Sequence, residues 1–364
     1  MSVRPRQSIL NPALYRPSAL DSIPRDGDAL WLDKNENLDP ELLMISQKVL
    51  STISPNSICT YPELGDLYRR LAKWVGVTPN SLLITAGSDG VIRSVFEAFI
   101  EQGDGVAHTF PTFAMYPVYS QMFGANTTIL EYVRSNDGPH LDLKLVLEVL
   151  RIQKPKILCL PNPDSPTGTV FSAEALLEIL LACEASETLL LLDEAYHPFY
   201  EWSGVPWTQR SRNLIVARTF AKAWGAAGMR IGYAVGHPET IALLHKMRPM
   251  YEMSTIAVEF IAKMLDFINA MESSVARIQE GKIFFSREME LLGFKVFPAE
   301  GNFIHIAFGE MANDIHLALE EGKVLYRKSF EHPSLAGFSR FTVATESEMI
   351  KVVNLIKKAI GNYP

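Results

Sequence analysis

The sequence predicts an α/β protein with a large, mostly parallel sheet domain, helices on both of its faces, and a smaller α+β domain. Three observations predict it. Short apolar runs rich in Leu, Ile and Val, each stopping at polar residues, recur between helix-like stripes and read as buried parallel strands. At 364 residues the chain is long for a single core. Beyond about residue 248 the pattern changes to a long helical stretch followed by more widely spaced strands. The expected division is an N-terminal arm with a small-domain segment (1–40), a large domain (41–247), and a linking helix with a small C-terminal domain (248–364).

Composition narrows the class. Hydrophobic residues make up 48% and charged residues 21%, ordinary for a globular enzyme. A net charge of −7 without a basic cluster argues against nucleic-acid binding. No apolar run approaches the roughly 20 residues of a membrane helix. The N-terminus has Arg4 and Arg6 but no apolar stretch after them, so no signal peptide is expected. The three cysteines, Cys59, Cys159 and Cys183, are scattered and read as buried free thiols in a reducing, cytoplasmic compartment. The histidines never fall at a metal-binding spacing.

In order, residues 1–30 read as an irregular arm rich in Pro, Arg, Ser and Asp. A helical stripe covers 41–51, and a second runs over 64–75 with Leu67, Leu71 and Trp74 on one face. Residues 82–85 form a strand that turns through Ala86-Gly87-Ser88-Asp89-Gly90 into a helix. Such a turn leaves backbone N–H groups free at the helix N-terminus, which makes an anion site. Strands at 106–109 and 156–160 end in Pro111-Thr112-Phe113-Ala114-Met115-Tyr116 and in Pro161-Asn162-Pro163-Asp164-Ser165-Pro166-Thr167-Gly168. A helix at about 173–185 leads to the strand 188–192, which ends in Asp193-Glu194-Ala195-Tyr196. The strand 214–217 ends in Arg218-Thr219-Phe220-Ala221-Lys222. A helix then passes Leu243 and Leu244, and a long helical region spans about 255–292. Strands at 294–297, 303–307 and 341–344 and a helix at 352–360 complete the C-terminal lobe.

Ligands of open α/β sheets sit at the carboxyl ends of the strands. Asp193, Tyr196 and Lys222 therefore point into one crevice. The set suits pyridoxal 5'-phosphate, which needs a lysine amine for a Schiff base, a carboxylate beside its ring nitrogen and donors for its phosphate. Lys222 offers the amine, Asp193 the carboxylate and Arg230 a charged donor.

DEAY at 193–196 and RTFAKAWGAAGMR at 218–230 resemble the fold-type I aminotransferases, and most closely the histidinol-phosphate aminotransferase family. The resemblance covers about residues 13–355. It implies that Gly87, Ser88, Asp89, Thr219 and Arg230 bind the cofactor phosphate, that Phe113 stacks on its ring, and that Tyr196 donates to its phenolate oxygen. It implies a homodimer in which Tyr61, in Tyr61-Pro62-Glu63, reaches the neighbouring subunit's phosphate; read alone, Tyr61 is a turn residue. Tyr15 and Asn37, the latter in Asn35-Glu36-Asn37, would line the substrate site. Arg327 and Arg340, 13 residues apart, would bind the anionic end of the substrate. Small-molecule amines and keto acids are the implied partners, with glutamate and 2-oxoglutarate as one pair.

Several positions depart from the family's pattern. Leu38 stands for a proline, Gly90 for a glutamate, Ala221 for a phosphate-binding serine and Glu252 for an asparagine. The largest departure is Ser165, which replaces the asparagine that donates to the phenolate oxygen. Either Ser165 reaches that oxygen through a water, or Asn162 serves instead. Three functions follow: an aminotransferase for histidinol phosphate or a related small phosphorylated amine; a threonine-phosphate decarboxylase-like enzyme, or an aminotransferase for a non-phosphorylated amino acid; and a non-catalytic binding protein on the same fold.

Overall fold

The computed structural model describes residues 3–12, 14 and 24–361; Tyr15 lies outside them. The chain enters through β1 (Leu30–Leu32), α1 (Pro40–Leu50) and α2 (Gly65–Val75). The sheet domain follows with β2 (Leu82–Thr85), α3 (Gly87–Phe99), β3 (Gly105–Phe110), α4 (Met115–Phe123) and β4 (Asn126–Glu131). A hairpin of β5 (Val133–Ser135) and β6 (Gly138–His140) leads to α5 (Leu143–Gln153), β7 (Ile157–Pro161), α6 (Ala173–Ala185) and β8 (Leu189–Asp193). β9 (Leu214–Thr219), β10 (Gly232–Gly236) and α7 (Pro238–His245) complete it. The remainder holds α8 (Thr255–Met264), α9 (Ile268–Leu291), β11 (Lys295–Phe297), β12 (Phe303–Ala307), α10 (Ala312–Glu321), β13 (Val324–Tyr326), β14 (Ser339–Thr342) and α11 (Glu346–Gly361).

The large sheet has the order β2-β10-β9-β8-β7-β3-β4, and only β10 runs antiparallel. Its central strands β7 and β8 are apolar up to Asp193 because both faces are covered, whereas the edge strand β4 is mostly exposed. Leu158, Leu160, Leu190, Leu192 and Val216 join one core cluster, while Ile157, Cys159, Leu189, Leu191 and Ile215 join another. Side chains alternate across a strand, so consecutive residues enter different cores and all of them must be apolar. Local chemistry starts the helices. The Asp39 carboxylate accepts from Glu41 N ahead of Pro40, and Ser172 Oγ accepts from Ala175 N.

A third core lies in the C-terminal lobe, where Phe285, Met289, Ile304, Ile306, Phe341 and Val352 meet. The antiparallel sheet β11-β12-β14 packs there against α9, and α11 packs on α9 in turn. Leu32 joins this core, and β1 pairs in parallel with β13. The segment before α1 is thus tied to the end of the chain.

The α/β class is the one the sequence predicts, with differences in detail. The strand expected at 341–344 is β14, Ser339–Thr342, which begins earlier because polar Ser339 and Arg340 are buried in the ladder opposite Ile306 and His305. The helical region 255–292 is broken by a 3₁₀ turn at Leu265–Phe267. β10 has no strand signal in the sequence, because its five residues begin and end in glycine. Of the cysteines expected to be buried, Cys59 is exposed, at the end of the 3₁₀ turn Pro55–Ile58. Among the described residues no helix is long and apolar enough to cross a membrane.

Candidate active site

β2, β3, β7, β8 and β9 are parallel, so their carboxyl ends share one edge of the sheet. A cleft of about 920 Å³ opens at that edge, with Arg327 and Arg340 of the C-terminal lobe on its other side. Asp193, Tyr196, Thr219, Lys222, Arg230, Ser88, Asp89, Phe113 and Ser165 also line it.

Asp193 ends β8. Its Oδ2 accepts from the Tyr116 hydroxyl at 2.8 Å and its Oδ1 from Ala195 N at 3.0 Å. Burial pushes the carboxyl up to about 6, against the lowering effect of the Tyr116 bond. The Tyr196 hydroxyl accepts from Asn35 Nδ2 at 2.7 Å, and burial raises its pKa. Lys222 follows β9 by one turn, and its Nζ donates to Lys34 O at 2.6 Å. Its pKa is lowered to about 8, chiefly by burial and next by the Arg340 charge. A fraction of this amine is therefore neutral at neutral pH.

Arg230 holds the left-handed conformation (φ 53°), and its guanidinium lies on Gly87. A Cβ at Gly87 would come 2.7 Å from Arg230 Nη2, and φ there is +78°. Only glycine serves both demands. Arg230 and the first turn of α3 together form an anion cradle beside Ser88 and Asp89. Across the cleft, Arg340 Nη2 donates to Asp33 O at 2.8 Å and Nη1 to Ser165 Oγ at 3.4 Å, while Nε is buried without a partner. Arg327 exchanges two backbone hydrogen bonds with Arg340, and its guanidinium sits 4.5 Å from the Phe330 ring centre. Among the described residues no carboxylate forms an ion pair with Arg230, Arg327 or Arg340. Phe113 is 38% exposed at the cleft and packs edge-on to Tyr116.

Three candidate residues lie elsewhere. Asn37 does not reach the cleft; its Nδ2 donates to Ala223 O and Ser274 Oγ, each at 2.9 Å, which fixes the chain ahead of α1. Asn162 is buried outside the lining, and its side-chain oxygen accepts from Phe171 N at 2.7 Å. Tyr61 is 72% exposed and stacks on Tyr251 with ring centres 4.1 Å apart.

The roles of Asn35, Tyr116 and Asp164 emerge only in the fold. Asn35 and Tyr116 act on cleft residues 161 and 77 positions away, which no local motif reveals. The Asp164 carboxylate accepts from Thr109 Oγ1 at 2.7 Å and Thr112 Oγ1 at 3.2 Å, joining the Ser165 loop to the Phe113 loop. Burial pushes its pKa up to about 7. Its position next to Ser165, where a neutral amide would be expected, was the available signal.

The cleft offers an amine of lowered basicity, a buried carboxylate and an anion cradle on one wall, and two unpaired arginines on the other. That donor set suits a ligand with a ring nitrogen, a carbonyl carbon and a phosphate, and a second ligand with its own anionic groups. Comparison with known proteins agrees. The sequence profile described as "Aminotransferase class I and II" matches residues 28–356. The histidinol-phosphate aminotransferase of Caldanaerobacter subterraneus subsp. tengcongensis is 31% identical over 91% of this chain and 93% of its own. That of Symbiobacterium thermophilum is 32% identical over 92% of this chain and 91% of its own. In fold, the chain is similar to the histidinol-phosphate aminotransferase of Sinorhizobium meliloti, solved in complex with pyridoxal-5'-phosphate (TM-score 0.78, 23% identity, 92% of each chain). It is also similar to the L-threonine-O-3-phosphate decarboxylase of Porphyromonas gingivalis (TM-score 0.74, 20% identity, 92% of this chain and 100% of the other). A match of the family profile from residue 28 to residue 356, with relatives alike over nine-tenths of their length, places the chain in the class I and II aminotransferase family.

Proposed function

We propose that this aminotransferase depends on pyridoxal 5'-phosphate and acts on histidinol phosphate or a related small phosphorylated amine, with glutamate and 2-oxoglutarate as the partner pair. Its place would be histidine biosynthesis in the cytoplasm. One observation carries the reading: Lys222 and Asp193 enter the same cleft from adjacent strand ends, beside Arg230, whose guanidinium lies against the first turn of α3. The names of the relatives support the substrate.

When bound, the cofactor supplies an aldehyde to capture the amine and a ring to accept electrons. The protein's residues do the rest. Lys222 Nζ, lowered to about 8, takes a proton from the substrate's amine-bearing carbon and returns one as general base and acid. Asp193 sets its carboxylate against the ring nitrogen and favours its protonated form. Arg230, Thr219 and the N–H groups of Ser88 and Asp89 hold the phosphate, with Gly87 making room for the guanidinium. Tyr196, oriented by Asn35, donates to the phenolate oxygen. Ser165 lies in the same cleft, whereas Asn162 is engaged with Phe171 N, which favours Ser165 as the second donor. Phe113 covers the ring. Arg340 and Arg327 receive the anionic groups of the substrate, Arg340 by exchanging Ser165 and Asp33 O for a carboxylate.

We infer a homodimer in which Tyr61 serves the neighbouring site. Tyr61, Ile58 and Met250 are 72–75% exposed, and apolar surface of this kind marks an interface.

The test is a half-reaction screen of the cofactor-loaded protein with single amines. Glutamate and histidinol phosphate should each convert the aldehyde-form spectrum to the amine form. Conversion by glutamate alone would move the substrate to another amine. Carbon dioxide release without a keto-acid requirement would replace aminotransfer with decarboxylation. Should Lys222→Ala leave the spectrum unchanged, the cofactor reading itself is wrong.

A further inference from the structure

The turn that opens α3 is gripped from both sides. On the cleft side Arg230 lies on Gly87. From below, Gly232 approaches so closely that a Cβ there would be 2.4 Å from Gly87 C and Ser88 N. Thr85 Oγ1 donates to Gly87 O at 2.8 Å. The remaining contact comes from outside the sheet domain's own helices. Glu252, in the irregular stretch between α7 and α8, accepts from Ala86 N through Oε1 at 3.0 Å. The space for this carboxylate exists because residue 90 has no side chain: a Cβ at Gly90 would be 3.1 Å from Glu252 Oε1 and 2.8 Å from Thr85 Cβ.

A carboxylate near a phosphate site has two opposed effects. Its charge repels the phosphate, and its hydrogen bond orders the turn that binds it. The geometry decides between them. Glu252 takes the N–H of Ala86, the residue before the helix, and leaves the N–H groups of Ser88 and Asp89 to the cleft. It also complements the positive end of α3 from the side away from the ligand.

We propose that Glu252 is a positioning residue for the anion cradle. Seated in the space left by Gly90, its carboxylate oxygen fixes Ala86 N and so aims the first turn of α3 and the Arg230 seat at the cofactor phosphate. This rests on the proposed cofactor.

The experiment titrates apoprotein with pyridoxal 5'-phosphate and, separately, with pyridoxal, which lacks the phosphate, and measures each Kd spectroscopically. Losing one charge-assisted hydrogen bond, Glu252→Ala should weaken pyridoxal phosphate about tenfold and pyridoxal less than about twofold. Glu252→Gln keeps the acceptor oxygen without the charge and should bind pyridoxal phosphate within about threefold of the parent and pyridoxal as the parent does. Should Glu252→Ala fail to fold, Glu252→Asp, whose carboxylate stops one methylene short of Ala86 N, should give the same phosphate-selective loss. Equal loss of both ligands, no loss of either, or Glu252→Gln as weak as Glu252→Ala would each overturn the proposal. Parent protein that binds neither compound would instead overturn the cofactor reading beneath it.

Discussion

Lys222 sits where an amine loses part of its hold on a proton. Burial and the Arg340 charge bring it to about 8. Capture of pyridoxal phosphate by apoprotein should therefore quicken as pH rises and level off above about 8, in stopped-flow absorbance. A pH-independent rate between 6 and 9 would contradict this. Removal of the amine, as in Lys222→Ala, should cost the half-reaction at least about 10²–10⁴-fold, the usual worth of a positioned acid–base group. Asp164 has the opposite bias. Its carboxyl is raised from 3.8 to about 7, so the folded state binds a proton more tightly than the unfolded chain does. The folded state holds it neutral up to about pH 7 while the unfolded chain ionises from about pH 4, so the cost to stability grows as pH climbs from about 4 to about 7. Urea unfolding of Asp164→Asn and parent should show the variant gaining relative stability between pH 5 and pH 8. A constant difference would mean Asp164 stays ionised. Lys222, Asp193 and Arg230 were legible in the sequence because each closes a strand or turn with fixed neighbours. Asn35 and Tyr116 were not, since each serves a side chain that only folding brings near.

At the scale of elements, the ends of β8 and β9 are locked by the buried pair of Arg218 and Glu194. Arg218 Nη2 lies 2.9 Å and Nε 3.0 Å from Glu194 Oε2, and Ser203 Oγ and Gly204 N complete the carboxylate's bonds. Arg218→Met would leave the carboxylate buried without its counter-charge and should cost about 3–5 kcal/mol in urea unfolding. A loss near zero would show that the pair is dispensable. α9 carries a different constraint. A Cβ at Gly281 would sit 2.1 Å from Ala344 O, so helix and chain meet backbone to backbone. Gly281→Ala, favourable to an isolated helix, should destabilise this one by about 1–3 kcal/mol. Helical periodicity marked the region without marking that glycine, because close approach is a property of what packs against a helix. The strand at 188–192 was legible for the converse reason. Two covered faces demand an unbroken apolar run, and no helix that short carries one. β10, with glycine at both ends, offered no such run.

For the whole molecule, the sequence separates a sheet domain from a C-terminal lobe, but the way they join is carried by pairings across the length of the chain. β1 lies against β13, and Asn35 N donates to Thr342 Oγ1. If Tyr61 serves a neighbouring subunit, mixing Lys222→Ala and Tyr61→Ala homodimers under exchange should restore about a quarter of the parent activity, since half the dimers would hold one complete site. No recovery beyond the sum of the two variants would confine Tyr61 to its own subunit.

Residues 33–35 act as a gauge block between the two halves. Asp33 holds Arg340 by a carbonyl, Lys34 holds Lys222 by a carbonyl, and Asn35 holds Tyr196 by its amide. Two of the three contacts ignore side-chain identity and depend only on how many residues precede them from β1. Substitution at 34 should thus be forgiven, while deletion of one residue between 32 and 35 should misplace the grip on an arginine, a lysine and a tyrosine at once. In this stretch the chain is read by length more than by letter, and a library varying loop length there would retune the cleft more sharply than one varying residue 34.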